Sequence, residues 1–145
     1  MKMGQDAVDL ALSQYLAAQV NPTHAMCYWN SLMAAQYLGE GSSYCEGWII
    51  TTAPVEGALV FVLAAHGWAE KGGKIVDVEG AAHCYFESSR RPGEGLSLPD
   101  VPLHSFDRQA TKRHQRQMKS ALDHLLGLSP AWSAITVHGA KVPTG

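Results

Sequence analysis

The sequence predicts an α+β fold in which helices come first and an antiparallel sheet follows. Apolar residues at helical spacing dominate residues 5–38, and β-branched and aromatic residues in strand-length runs dominate residues 45–86. A helical pattern returns over Asp107–Leu128. At 145 residues the chain is long enough for one domain with a proper core and too short for two ordinary ones, so we expect a single domain over residues 1–145.

A proline separates the first two predicted helices. Gln5–Val20 carries apolar residues at helical spacing, and the Asn-Pro-Thr stretch that follows breaks the pattern. Asn21 or Thr23 is then the candidate N-cap of a second helix. This second helix is predicted to run to about Leu38 and to stop at the glycines that begin with Gly39.

Three strand patterns follow, and two of them form a tight hairpin. Cys45–Thr52 is aromatic and β-branched, and Ala58–Glu70 is so continuous in apolar residues that we expect a strand buried on both faces. Gly72-Gly73 is a two-residue hairpin turn that leads into the returning strand Lys74–Glu79.

The remaining patterns are shorter or irregular. Ala82–Phe86 predicts a further short strand, and Arg90–Pro102, with three prolines and two glycines, predicts an irregular surface loop. Asp107–Leu128 predicts a long helix that turns Met118 and several leucines inward. Ala134–Val137 predicts a final edge strand.

Composition excludes several classes of function. Hydrophobic residues make up 46% of the chain and charged residues 17%, which is typical of a folded globular protein. The formal net charge of −2 gives no reason to expect nucleic acid or an anionic membrane as a partner. The N-terminus lacks the apolar segment of a signal peptide, and the longest apolar run, Ala58–Ala65, is far shorter than the roughly 20 residues that cross a bilayer.

The cysteines indicate a reducing compartment, and the spacing of the histidines does not predict a metal site. Cys27, Cys45 and Cys84 are odd in number and widely spaced, which argues against a disulfide framework. We therefore expect a cytoplasmic protein; a chain delivered into another cell without a signal would have the same composition. No histidine stands at a metal-ligand spacing from a cysteine, so we expect no metal and no cofactor. Cys45 and Cys84 are interpreted as small buried apolar residues.

One set of residues indicates chemistry: a cysteine, a histidine and an aspartate, in that order. Cys27 lies early in the second predicted helix, His66 on the first arm of the hairpin and Asp77 on the second. A thiol nucleophile needs a base, and the base needs a group that orients it. The start of a helix lowers the pKa of a thiol, and we expect Cys27 to be partly exposed there.

The register of the hairpin follows from its turn. If Gly72-Gly73 is the two-residue turn, Trp68 faces Asp77, and side-chain alternation places His66 and Trp68 on one face. Asp77 is then a diagonal neighbour of His66, at roughly 7–8 Å between Cα atoms, so their side chains can form a hydrogen bond. Glu79 would oppose His66 directly and is the rival orienting group. We favour Asp77 because apolar residues enclose it.

These residues resemble the transglutaminase-like branch of the papain-like superfamily. His66-Gly67-Trp68, followed by Gly-Lys-Ile-Val-Asp77, is similar to the His-x-Trp and Gly-x-x-x-x-Asp signature of that branch. The resemblance covers about residues 23–80 and implies a papain-like fold. It implies that Cys27 is the thiolate nucleophile, with its backbone N–H in an oxyanion hole, that His66 is the general base and acid, and that Asp77 orients His66.

The resemblance also raises candidates for substrate contacts. In the papain branch a glutamine about six residues before the cysteine supplies the second oxyanion donor; here Asn21 holds that place and Gln19 lies nearby. Trp29, Trp48 and Trp68 are candidates for lining an acyl or peptide groove, and core packing is the alternative for at least one of them.

The sequence therefore favours a cysteine hydrolase or acyltransferase that acts on an amide, isopeptide or thioester bond of a peptide, protein or acyl-amide substrate. A non-catalytic binding module on the same scaffold is the alternative. Basic residues on the last helix would fit nucleic acid, but a solvated helix face is the simpler explanation, and we expect neither nucleic acid nor a membrane as partner. These basic residues are Arg108, Lys112, Arg113, Arg116 and Lys119.

Overall fold

The computed structural model describes residues 1–22, 27–93 and 108–137. Within these ranges the chain forms four helices and a mixed sheet of six strands, which confirms the α+β class. No helix in the described ranges is long and apolar enough to cross a membrane. The elements are β1 (Lys2–Met3), α1 (Gly4–Ala7), α2 (Leu10–Val20), α3 (Cys27–Leu38), β2 (Ser42–Val55), β3 (Ala58–Lys71), β4 (Lys74–Val76), β5 (Cys84–Pro92), α4 (Arg108–Leu128) and β6 (Ala134–Val137).

The strands follow the order β1-β5-β2-β3-β4, and β6 pairs with β3 as well. Neighbouring strands on this path are antiparallel, whereas β6 runs parallel to β3. The expectation of a wholly antiparallel sheet is therefore wrong at β6. A strand that follows a long helix can run parallel or antiparallel to its neighbour. The sequence of Ala134–Val137 does not indicate which of the two directions it takes.

One edge of β3 is shared by two short strands that leave a gap. Because β2 pairs with β3 along its whole length, β4 and β6 both lie on the opposite edge. β4 pairs with residues 69–71 and β6 with residues 61–64. Residues 65–68, which include His66, lie between them with no paired strand on that edge among the described residues.

Helices α2, α3 and α4 cover one face of the sheet. Tyr44 packs with residues of α2 and α3, and Ile50 packs with residues of α4. The two side chains are an even number of residues apart in β2 and so project from the same face. On the other face, Trp68 and Tyr85 pack with Val8 from the N-terminal segment.

The first predicted helix is interrupted. Val8 forms a parallel bridge with Ile75, and Asp9 caps α2 by accepting a hydrogen bond from the backbone N–H of Leu12 at 3.0 Å. The sequence pattern passes over this break because Val8 is apolar and fits both a helix face and a strand. Gln5–Val20 is therefore two helices rather than one.

The structure confirms the predicted turn at Gly72-Gly73, but it gives Asn21 a different role. Gly72 and Gly73 both have positive φ, 61° and 77°, as a two-residue type I′ turn requires, and Lys71 pairs with Lys74 as predicted. Asn21 is not an N-cap: it has φ 50° and ends α2 in the left-handed conformation. Thr23 lies outside the described residues.

Two strands differ from their predicted lengths. The strand predicted over Lys74–Glu79 ends at Val76, and residues 77–80 form a turn. The short strand predicted over Ala82–Phe86 is the longer β5, which takes in the first three residues of the predicted loop Arg90–Pro102. Residues 94–102 of that loop lie outside the described residues. The final helix and strand are confirmed as α4 and β6, and Met118 is buried as predicted.

Candidate active site

The structure brings Cys27, His66 and Asp77 together at the gap in the edge of β3. The Nε2 atom of His66 lies 2.9 Å from Oδ2 of Asp77. The Sγ atom of Cys27 lies within 4.8 Å of a ring nitrogen of His66. Helix α3, strand β3 and the turn after β4 each contribute one of these groups, whereas the sequence predicts Asp77 on the returning strand.

The carboxylate of Asp77 is held by three donors. Oδ2 accepts hydrogen bonds from Nε2–H of His66 and from the hydroxyl of Tyr85, at 2.9 and 2.7 Å, and Oδ1 accepts one from the backbone N–H of Glu79 at 3.1 Å. The backbone N–H of Asp77 donates to Oγ of Ser13 at 3.0 Å. A carboxylate oxygen accepts hydrogen bonds, so the ring nitrogen that contacts Oδ2 is the donor of this pair. Nε2 of His66 therefore carries the proton, and Nδ1 is left as the acceptor that faces Cys27.

The surroundings of His66 favour its protonated form. Burial alone would lower the pKa of His66, but the charge and hydrogen bond of Asp77, together with the contact to Cys27, hold this pKa well above its ordinary value. An imidazolium formed when His66 accepts a proton from the thiol is therefore stabilised in place.

Glu79 lies on the opposite side of the imidazole from Asp77. Its Oε2 atom is 3.6 Å from Nδ1 of His66, whereas Asp77 contacts Nε2. Nδ2 of Asn30 donates to Oε1 of Glu79 at 2.8 Å and fixes the carboxylate. The predicted direct pairing of Glu79 with His66 is replaced by this contact because β4 ends before Asp77. The two acidic side chains thus contact different nitrogens of one ring.

A glycine sets the depth at which α3 packs on β3. A Cβ atom at Gly67 would lie 3.0 Å from Cδ1 of Tyr28 and 3.4 Å from Oγ of Ser31. The hydroxyl of Ser31 in turn donates to the carbonyl oxygen of Cys27 at 2.6 Å. The small residue between His66 and Trp68 therefore lets the start of α3 approach the strand that carries His66.

Cys27 is more buried than its position predicted. The residue is 5% exposed, and the neighbouring Tyr28 is 1% exposed. The expected partial exposure is wrong because the close contact at Gly67 presses the first turn of α3 against the sheet. Glu79, on the far side of His66 from Asp77, has a side chain that is 25% exposed.

No protein-family model, curated protein or solved structure matches this chain.

The candidate oxyanion residues lie near the end of α2. Gln19 and Asn21 are exposed at the C-terminal end of α2, and no hydrogen bond between described residues joins either side chain to Cys27 or His66. The αL conformation of Asn21 ends the helix and turns the chain there.

Two of the three candidate tryptophans lie in the core. Trp48 packs in the apolar cluster under α4, and Trp68 is 1% exposed with its ring edge-on to Tyr85 at 5.1 Å. Trp68 also lies beside His66, with ring centroids 6.3 Å apart. Trp29 is half-buried, so it is the one of the three with surface left for a substrate.

Sequence reasoning missed the groups that hold the site from outside the motif. Tyr85 comes from β5, Ser13 from α2 and Asn30 from α3. No spacing rule connects a tyrosine on one strand to an aspartate eight residues earlier. Cys27 and Asn30 are three residues apart in α3 and are therefore adjacent on the helix surface. This spacing could have predicted that Asn30 lies near the site.

A second buried cysteine has acidic neighbours but no histidine. The ligand atoms of Cys45, Glu70 and Glu87 lie within 4.8 Å of one another. Arg90 contacts both carboxylates, at 2.8 Å from Glu70 and 2.6 Å from Glu87, and Lys2 lies 2.9 Å from Glu70. Burial, followed by the charge of Glu87, raises the pKa of the Cys45 thiol. Its buried position agrees with the role expected from the sequence.

Two cavities differ in their relation to the site. One of about 280 Å³ lies between α2 and the turn 77–80 and is lined by Asp77 and Glu79. A larger one of about 580 Å³ lies beside α4, away from Cys27, and is lined by Met3 and Cys84. The smaller cavity is therefore the one adjacent to the candidate chemistry.

Proposed function

We propose that this protein is a papain-like cysteine hydrolase or acyltransferase in which Cys27, His66 and Asp77 act on an amide, isopeptide or thioester bond. The observation that carries the proposal is the arrangement of the three side chains: Cys27 Sγ lies within 4.8 Å of a ring nitrogen of His66, and Nε2 of His66 lies 2.9 Å from the carboxylate of Asp77. A thiol, a base and a buried group that orients the base are the parts that covalent acyl transfer needs.

In the proposed mechanism, His66 accepts the thiol proton at Nδ1 and the thiolate of Cys27 attacks the carbonyl carbon. The C–S bond forms as the carbonyl π electrons move onto oxygen, where backbone N–H groups at the start of α3 stabilise the charge. The imidazolium then gives its proton to the leaving group, and the bond to that group breaks. Water, deprotonated by His66, attacks the acyl-enzyme and releases the acid and the thiol.

The role of Asp77 is to fix the ring. Its hydrogen bond to Nε2–H keeps the acceptor nitrogen directed at Cys27, and its charge stabilises the imidazolium. The hydroxyl of Tyr85 holds the same carboxylate oxygen at 2.7 Å, so the carboxylate cannot rotate freely. Hydrolysis is the default outcome because water is always present, and transfer requires a second substrate site.

The test is alkylation of metal-free protein by iodoacetamide at pH 7, with each cysteine followed by peptide mass spectrometry. We expect Cys27 to react at least about tenfold faster than Cys45 and Cys84, since its thiol lies beside the imidazole of His66, whereas that of Cys45 lies beside carboxylates. His66→Asn should remove this difference. His124→Asn, which changes an exposed histidine of α4, is the matched control and should leave it unchanged.

Equal, slow labelling of all three cysteines, unaffected by His66→Asn, would contradict the proposal and favour a non-catalytic binding module. If Cys27 proves reactive, a library of peptides and acyl amides then identifies the substrate. Loss of turnover in Cys27→Ser, with an unchanged rate in Cys45→Ser, would assign turnover to this thiol.

A further inference from the structure

The groups around Cys27 also match the ligand chemistry of a zinc ion. One sulfur, one nitrogen and one oxygen atom, from Cys27, His66 and Glu79, lie within 4.8 Å of one another. Thiolate, imidazole and carboxylate are the three ligand types that Zn²⁺ takes in proteins. Nδ1 of His66 and Oε2 of Glu79 are 3.6 Å apart. Two ligands at about 2.0 Å from a tetrahedral zinc ion are separated by roughly 3.3 Å, so a small movement closes the site.

The residues that form hydrogen bonds with two of these ligands are arranged as in known types of zinc site. A histidine that binds zinc through one nitrogen usually donates its other N–H to a carboxylate, and Nε2–H of His66 donates to Asp77. A carboxylate ligand is usually held by a further hydrogen bond, and Nδ2 of Asn30 supplies one to Glu79. Both supporting contacts leave one ring nitrogen of His66 and Oε2 of Glu79 free of them, and ligand atoms of both residues lie within 4.8 Å of that of Cys27.

The second cysteine cluster shows why acidic neighbours alone do not suffice. Cys45, Glu70 and Glu87 are equally close to one another, but Arg90 lies against both carboxylates and Lys2 against one of them. A guanidinium already compensates the charge that a metal ion would neutralise. Among the described residues, no ion pair joins Glu79 to a cationic side chain other than His66.

We infer that Cys27, His66 and Glu79 bind one Zn²⁺ ion, and that this ion reversibly blocks the thiol. The binding follows from the ligand geometry; the blocking rests on the proposed function. On binding, the thiol proton leaves to solvent and the sulfur donates an electron pair to zinc. Nδ1 of His66 donates its pair to the same ion, so it no longer accepts a proton, and Glu79 supplies the third ligand. A fourth position, towards the exposed side of Glu79, is left for water.

Binding is measured first, without any substrate. The full chain is dialysed against Zn²⁺ at several concentrations and the bound metal is quantified. We expect one ion per chain, with affinity weakened about 10- to 100-fold or more in Glu79→Gln and in Cys27→Ser. Glu87→Gln and Cys45→Ser are the matched controls from the second cluster and should bind as the unchanged protein does. Circular dichroism checks that each variant is folded.

Protection of the thiol is measured next, by alkylation of Cys27 at pH 7. Zn²⁺ at ten times its dissociation constant should slow labelling of Cys27 about 11-fold, because that is the ratio of total to metal-free protein. A chelator should restore the rate. At the same free Zn²⁺ concentration, Glu79→Gln should be protected much less.

The outcomes separate this inference from the proposed function. Binding that is absent, or equal in Glu79→Gln and Glu87→Gln, overturns the zinc site and leaves the thiol mechanism standing. Zinc bound by these residues in a protein whose metal-free Cys27 is unreactive supports the site and contradicts the thiol mechanism. Hydrolysis that a chelator abolishes and Zn²⁺ restores would overturn the blocking role, because the metal would then be required.

Discussion

Two buried cysteines of this chain, Cys27 and Cys45, differ in one neighbour. Each is within 4.8 Å of a carboxylate oxygen, and both are almost completely buried, at 5% and 0% exposure. Beside Cys27 the next group is the imidazole of His66, whose Nδ1 can accept a proton. Beside Cys45 it is the guanidinium of Arg90, which stays protonated at every accessible pH and accepts nothing.

This difference shows that burial alone does not decide whether a cysteine is chemically useful. Burial and the charge of Glu87 raise the pKa of the Cys45 thiol, and the cations around it are engaged with Glu70 and Glu87. At Cys27 the base is held by Asp77, which also supports its charged form. The cluster around Cys45 is therefore suited to structure, and the cluster around Cys27 to proton transfer.

The largest expected effect is that of Asp77→Asn on the reactivity of Cys27. The amide would present a donor to Nε2–H of His66 or to the hydroxyl of Tyr85, which favours the wrong tautomer. A Cys–His pair can ionise before substrate arrives, so we expect a loss on the order of 10- to 1,000-fold rather than complete inactivation. The alkylation rate of Cys27 measures it, with that of Cys45 as the internal reference. An unchanged Cys27 rate would remove the distinction between the two clusters.

Gly67→Ala tests whether the approach of α3 to β3 matters to Cys27. The added methyl group would meet Tyr28 at 3.0 Å and Ser31 at 3.4 Å, so we expect a loss of about 1–3 kcal/mol in the free energy of unfolding. Cys27 should also react more slowly, whereas Cys45 should not change. Gly127→Ala is the control: its Cβ meets nothing within 4 Å, and it should stabilise α4 by up to about 1 kcal/mol. Urea denaturation gives both values.

Glu79→Gln should have a smaller effect on the metal-free thiol. Glu79 lies 3.6 Å from Nδ1 of His66, so its removal takes away a neighbouring charge and not the group that orients the ring. We expect less than a tenfold change in the alkylation rate of Cys27, equivalent to less than about 1.4 kcal/mol. If this variant is more damaging than Asp77→Asn, Glu79 and not Asp77 is the orienting residue.

The smallest effect concerns the second cluster and its dependence on pH. Burial would raise the pKa of Glu70, but its hydrogen bonds to Lys2 and Arg90 outweigh burial and lower it below 4.5. A lowered pKa in the folded state stabilises the protein above about pH 4.5, and this contribution is lost as the pH falls through the folded-state pKa. Glu70→Gln should therefore cost about 0.5–1 kcal/mol at pH 7, because Lys2 and Arg90 are 43% and 39% exposed and are screened.

Thermal unfolding of both proteins between pH 3 and pH 7 checks this prediction. The difference between Glu70→Gln and the unchanged chain should narrow in acid and in high salt. A difference that is independent of pH would mean that Glu70 acts through packing and not through its charge.

The hairpin part of the site could be predicted because two local rules determine it. The glycine pair at 72–73 sets the turn, and the alternation of side chains then places Asp77 on the face of His66. The end of β4 could not be predicted, because Val78 continues the apolar pattern. What ends the strand is a local hydrogen bond, from the backbone N–H of Glu79 to the side chain of Asp77.

The rest of the site depends on sheet order, which the sequence does not encode locally. Tyr85 reaches Asp77 because β5 and the N-terminal segment build one apolar layer behind Trp68. The burial of Cys27 depends on how closely α3 packs at Gly67, and the parallel direction of β6 depends on the path taken through α4. These are tertiary relations, so periodicity in single segments carries no information about them.

The hydrogen bonds that meet at Asp77 decide which variants are useful for capturing a substrate. This residue joins α2, β3, β5 and its own turn, so replacing it changes the fold and the chemistry together. An inactive Asp77 variant would therefore report poorly on what the intact protein recognises. Cys27 contributes its thiol to the site, and its hydrogen bond with Ser31 uses the backbone carbonyl, which a substitution leaves in place, so Cys27→Ser is the variant to carry into capture experiments with peptides or acyl amides.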